Sequence, residues 1–140
     1  MSSPTWVLDT NVVVSGLLSA HRHPARLLDA VLDGRLRLAF DDRIEAEYRE
    51  VLSRPRFSIP PERREAFLAL LSVQEYVAAR PWPETVLPDP DDLPFLEVAY
   101  WSSDQTLVTG NSRHYPPASR GPVNVLSPRE AWERLRKRSA

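Results

Sequence analysis

The chain of 140 residues has no cysteine, which excludes disulfides, thiolate metal sites and thiol nucleophiles. Glycine is scarce, with four residues at positions 16, 34, 110 and 121, too dispersed for a glycine-rich phosphate loop. No apolar run approaches the roughly 18 residues of a membrane span. The opening Met1-Ser2-Ser3-Pro4 lacks the basic-then-apolar order of a signal peptide. A cytoplasmic protein is the expectation, and the missing cysteine is compatible with it. A strong charge of one sign is missing too: a net charge of −1 gives no overall basic field to draw the chain onto nucleic acid.

What is present is ordinary for a folded domain. Hydrophobic residues make up 42% and charged residues 26%, values that argue against disorder and for one domain spanning 1–140. Lys137 is the only lysine, so arginine supplies the rest of the basic side. Arginine forks suit phosphate oxygens, although the bias also fits genome composition. The 14 prolines cluster in 55–61, 81–94 and 116–128, which marks those stretches as loops and element boundaries.

Thr5-Trp6-Val7-Leu8 is a short apolar run halted at Asp9-Thr10-Asn11, the pattern of a buried strand. A short helix is predicted over 11–18. Pro24 opens a second helix with Leu27, Leu28, Val31 and Leu32 at helical spacing and Gly34 as its stop. A second strand is predicted over 36–40. Asp41 or Asp42 caps a third helix whose stripe is Ile44, Tyr48, Val51 and Leu52. Further helices are predicted over 62–71, 92–101 and 128–136, with Phe95, Leu96 and Ala99 sharing one face of the second. Strands are predicted over 76–78, 106–109 and 123–126. Strands alternating with helices predict an α/β fold, a three-layer α/β/α sandwich around a mainly parallel sheet. Sites in such sheets form beyond the carboxyl ends of the strands.

The candidate chemistry lies in carboxylates. Asp9 ends the first strand, where it can cap the following helix, serve a site, or do both. Asp92 precedes Phe95, Leu96 and Ala99 by helical spacing and so shares their buried face. It crowds with Asp89 and Asp91, an arrangement that costs energy unless a cation or a helix N-terminus offsets it. On the third helix Glu50 points away from the apolar stripe, while Glu45 and Glu47 flank it on opposite sides, and spacing does not choose between them. Asn111, after the strand ending Val108-Thr109-Gly110, can ligate a metal, hold a water or simply form a turn. His114 stands alone in a loop.

Rival constellations fail. An aspartyl-phosphate enzyme needs a second aspartate where Asn11 stands, and no serine has the G-x-S-x-G setting of a hydrolase nucleophile. An oxygen-only acidic set remains, which suits Mg²⁺ or Mn²⁺.

Leu8-Asp9-Thr10-Asn11-Val12 with Val14-Ser15-Gly16-Leu17-Leu18 resembles the opening of PIN domains. Three further stretches are similar to later PIN motifs, in the same order: 47–55, 89–99, and Val108-Thr109-Gly110-Asn111 with His114-Tyr115-Pro116. The resemblance runs from about Trp6 to Trp132. It is nearest to the toxin components of toxin–antitoxin systems related to the VapC-like PIN toxins. It implies a parallel sheet flanked by helices, a metal-dependent ribonuclease leaving a 3′-hydroxyl and a 5′-phosphate, often a homodimer, and a cognate antitoxin. Carried over by motif, Asp9, Glu47 and Asp92 are the metal-site carboxylates; in the mechanism expected of them, Asn111 is a further catalytic residue that orients water or substrate, and Arg113 is a phosphate contact. Many PIN domains place a fourth acid where this chain has Asn111 or His114. The alternative function is therefore a catalytically weak PIN domain that binds RNA or a partner.

Overall fold

Short apolar segments that each end at a polar residue become the strands of one sheet. In the computed structural model, which describes residues 3–139, β1 (Thr5–Leu8) is buried along its whole length. It is flanked by β2 (Arg37–Phe40) and β4 (Thr106–Val108). Outside these lie β3 (Glu75–Tyr76) and β5 (Asn124–Leu126), giving the order β3-β2-β1-β4-β5 with every pairing parallel. The register sets Leu8 against Val108, and the ladder is carried beyond them by Asp9 N–H donating to the Val108 carbonyl at 2.8 Å.

Six helices cover the sheet: α1 (Thr10–Leu18), α2 (His23–Leu32), α3 (Asp42–Leu52), α4 (Pro61–Leu70), α5 (Leu93–Trp101) and α6 (Pro128–Ser139). The architecture is the expected three-layer α/β/α sandwich. α5 packs on β1, β4 and β2, while α1 packs on α2 and α2 on α6. Two glycines are required by this packing. Gly34 takes φ of +77° to end α2, a conformation in which glycine alone is free of strain. A Cβ on Gly16 would come within 2.6 Å of a Leu28 methyl, so glycine lets α1 approach α2.

Element boundaries differ slightly from expectation. Leu36 donates its N–H back to Ala30 and lies outside β2. β3 is one residue earlier than predicted, at Glu75–Tyr76. α5 begins at Leu93, because Pro90–Asp92 forms a separate 3₁₀ turn. α5 was also expected to bury one face, yet Phe95 through Ala99 are all buried, Glu97 included. The buried acid is held by Arg43, whose guanidinium lies 2.7 Å from Oε1, and by the Trp82 N–H at 2.7 Å from Oε2. Paired and hydrogen-bonded in this way, a buried carboxylate is tolerated. No helix among the described residues is long and apolar enough to cross a membrane.

Candidate active site

The strand order reverses direction between β1 and β4, since one half of the sheet runs outward through β2 and the other through β5. The loops leaving the carboxyl ends of two such strands diverge to opposite sides and open a crevice. Asp9 follows β1 at this point, and Thr109, Gly110 and Asn111 follow β4.

Asp9 is 4% exposed and is held by three donors. Oδ1 accepts from the Thr10 N–H at 2.8 Å, and Oδ2 accepts from the Thr109 hydroxyl at 2.9 Å and the Tyr115 hydroxyl at 3.0 Å. It is also the N-cap of α1, so capping and site placement coincide in one residue. Burial nonetheless pushes its carboxyl above the ordinary value, against the pull of those hydrogen bonds.

Glu47 reaches the same place from α3. Its Oε2 accepts from the Thr10 hydroxyl, and its carboxyl is raised by burial and by repulsion from Asp9 and Asp91. Glu45, which spacing could not separate from it, and Glu50, read as pointing away from the stripe, are both occupied elsewhere. Glu45 pairs with Arg49 at 2.9 Å and Glu50 with Arg54 at 2.7 Å, each one helical turn on.

Asp92 sits at the N-cap position of α5 but makes no side-chain cap bond, while Asp89 accepts from the Asp91 N–H at 2.9 Å and caps the 3₁₀ turn. The Asp92 side chain is therefore not spent on capping α5. Burial, then repulsion from Asp9, lifts the Asp92 carboxyl to about 6, with smaller contributions from Asp89 and Glu47. His114 Nδ1 lies 3.0 Å from Asp92 Oδ2, yet out of hydrogen-bond alignment, so Oδ2 is buried without a hydrogen-bond partner. On the other side of the ring, the Asn111 amide lies 2.9 Å from Nε2.

Sequence reasoning passed over Thr10, Thr109 and Tyr115 as partners of the carboxylates, and it set His114 aside as a lone loop residue. Tyr115 is fully buried, though it lies in a proline-rich loop, and only the tertiary fold brings its hydroxyl to Asp9. Asn11 also binds the two strand ends together, its Oδ1 accepting from the Gly110 N–H at 2.9 Å.

The donors are all oxygen, which in kind and charge fits Mg²⁺ or Mn²⁺. A divalent cation would also relieve the two costs visible here, the mutual repulsion of Asp9, Glu47 and Asp92 and the orphaned Oδ2. As they stand, no three His, Cys, Asp or Glu side chains among the described residues are gathered tightly enough to hold a metal ion.

The raised Asp92 carboxyl has a consequence for stability. A carboxyl that is held above its unfolded value stabilises the fold when protonated, and that contribution is lost as pH rises through about 6. Metal-free protein is therefore expected to melt higher at mildly acidic pH than at slightly alkaline pH. Asp92→Asn should raise the melting temperature on the alkaline side and flatten the profile. Thermal denaturation in EDTA across this range checks it, and a clearly destabilised Asp92→Asn would instead mark Asp92 as a structural cap.

No curated protein and no solved structure matches the chain. The family model for the PIN domain does match, over residues 5–113, a span that contains Asp9, Glu47, Asp92 and Asn111 and the five elements that position them. The chain belongs to the PIN-domain family, whose members are generally nucleases and typically use divalent metals.

Proposed function

We propose that the protein is a Mg²⁺- or Mn²⁺-dependent endoribonuclease, acting as the toxin of a toxin–antitoxin pair. The observation that carries this reading is the group Asp9, Glu47 and Asp92 at the switch point of the sheet, each carboxyl raised by burial and those of Glu47 and Asp92 also by the charge of Asp9, with Asp92 Oδ2 unsatisfied.

Asp9, Glu47 and Asp92 would hold the cation. When bound, the ion supplies Lewis acidity to water and to the reacting phosphate. The chain's own residues do the rest. Thr10 N–H, Thr109 and Tyr115 lock Asp9 in one rotamer, and the Thr10 hydroxyl does the same for Glu47. This pre-set geometry spares the site reorganisation during reaction. Water attacks phosphorus, the bond to the 3′-oxygen breaks, and that oxygen leaves with a proton. The products are a 3′-hydroxyl and a 5′-phosphate. The proton of the attacking water passes to bulk water, which also supplies the proton taken by the leaving oxygen. Asn111 positions His114 beside Asp92, and exposed Arg113 on the adjoining turn offers a phosphate contact. No protein nucleophile takes part.

A toxin of this kind needs a protein partner. An apolar cleft of about 240 Å³ between α1, α2 and α4, lined by Leu17, Leu28 and Phe67 with exposed Leu32 beside them, is a surface that an antitoxin or a second copy of the chain would cover.

A second reading, RNA binding without turnover, is favoured by one feature: the fourth position holds Asn111, engaged with His114, instead of an acid. Mn²⁺ separates the two readings. Under the hydrolase reading Mn²⁺ should raise the melting temperature, by about 2.7 kcal/mol of stabilisation at a hundred times Kd, and Asp92→Asn should abolish the shift. Purified protein should then cut single-stranded RNA. A wild-type protein that shows no Mn²⁺ shift and binds RNA without cutting it would support the second reading.

A further inference from the structure

Beside the carboxylates the surface is grooved. One depression, of about 420 Å³, has Asn11, Asn111 and His114 at one end and Ser15, Pro24 and Pro128 at the other. The same Ser15, Pro24 and Pro128 line a second depression of about 510 Å³, which ends among His21, Arg22, His23 and Arg129. The shared residues make the two continuous. The channel thus runs from the acidic site, along the junction of α1, α2 and α6, to a basic mouth.

Its lining is selective. No carboxylate and no Phe, Tyr or Trp ring lies along either segment. Several other arginines are neutralised by acids: Arg43 by Asp41 and Glu97, Arg49 by Glu45, Arg54 by Glu50. Among the described residues, neither Arg22 nor Arg129 is within ion-pair distance of an acid. Two arginines without an acid partner therefore stand around one mouth, beside His21 and His23. Between the ends, Asn11, Ser15 and Ser127 offer neutral donors, the residue types that meet phosphate and sugar oxygens. The lack of Phe, Tyr and Trp removes the larger platforms for stacking bases.

We propose that this channel is the track for the sugar–phosphate backbone of the RNA strand beyond the scissile phosphate, with Arg22 and Arg129 as its phosphate contacts. The inference rests on the ribonuclease reading for its substrate and on the channel for its path. It makes the grip on the flanking strand electrostatic and indifferent to base sequence, so any sequence preference must arise at the carboxylate end.

The test is the binding of a fluorescein-labelled RNA dodecamer, by anisotropy in EDTA over a range of salt, to wild type, Arg22→Ala/Arg129→Ala and Arg22→Lys/Arg129→Lys. Both positions are exposed, so the fold should tolerate either pair of changes. The alanine pair should weaken binding about tenfold at low salt and reduce the slope of log K against log salt by about 1.4, the loss expected for two contacts to a single strand. Dodecamers of different sequence should be weakened alike, and the lysine pair should recover most of the affinity. An alanine pair with wild-type affinity and slope overturns the track, whether or not the wild type cuts RNA. A wild type that binds the dodecamer through these arginines but leaves it uncut in Mn²⁺ keeps the track and removes the hydrolase reading.

Discussion

Glu47→Gln is expected to slow RNA cleavage about a hundredfold or more, while Glu45→Gln and Glu50→Gln stay near the wild-type rate. All three lie on one face or another of α3, and the difference comes from their partners. Glu45 and Glu50 are each neutralised by an arginine on the next turn, and such exposed pairs contribute little in either direction. Glu47 has no arginine. It accepts from the Thr10 hydroxyl beside Asp9 and is raised by the charges of Asp9 and Asp91. The glutamine keeps the shape and can still accept from Thr10, but it loses the negative charge that a cation needs. Rates for the three variants at saturating Mn²⁺ check this. Equal losses from all three would mean that charge on α3 matters only as a field, without a specific ligand.

The larger effect is expected at Asp9. Asp9→Asn should lower cleavage on the order of a thousandfold while leaving the protein folded. The carboxylate is buried and its charged form is disfavoured there, so neutralising it removes a desolvation cost. The Thr109 and Tyr115 hydroxyls can rotate to meet an amide in place of an oxygen. The melting temperature in EDTA should therefore hold or rise as activity disappears. Circular dichroism with a cleavage assay on the same preparation checks both halves. Loss of the fold would show that the hydrogen bonds to Asp9 serve the structure first.

The parts of this account visible in sequence are those set by local pattern. Trp6-Val7-Leu8 before Asp9 marks a buried strand with its polar end at the edge of the sheet, and this one juxtaposition points to the switch-point crevice. The interior of α5 was partly legible: the spacing of Phe95, Leu96 and Ala99 marks one buried face, and nothing in it marks Glu97 as buried with them. That burial depends on Arg43, 54 positions earlier in the chain, which no periodicity connects to it. Glu47 and Glu45 were inseparable by spacing because both border the same stripe, and their separation follows from Thr10 and Arg49. Tyr115 falls within a PIN-like stretch, but nothing local marks it as a partner of Asp9. Between His114 and Pro116 it reads as loop, and its burial against Asp9 is a product of the chain's path from β4 to β5.

The central claim is that these carboxylates hold a divalent cation with which the protein hydrolyses RNA. The most direct measurement incubates single-stranded RNA with purified wild-type protein in Mn²⁺ and, separately, in EDTA, and then identifies the end groups of any fragments. The account predicts fragments in Mn²⁺ alone, each new 5′ end carrying a phosphate and each new 3′ end a hydroxyl. Cleavage that persists in EDTA, or fragments ending in a 2′,3′-cyclic phosphate, would contradict it.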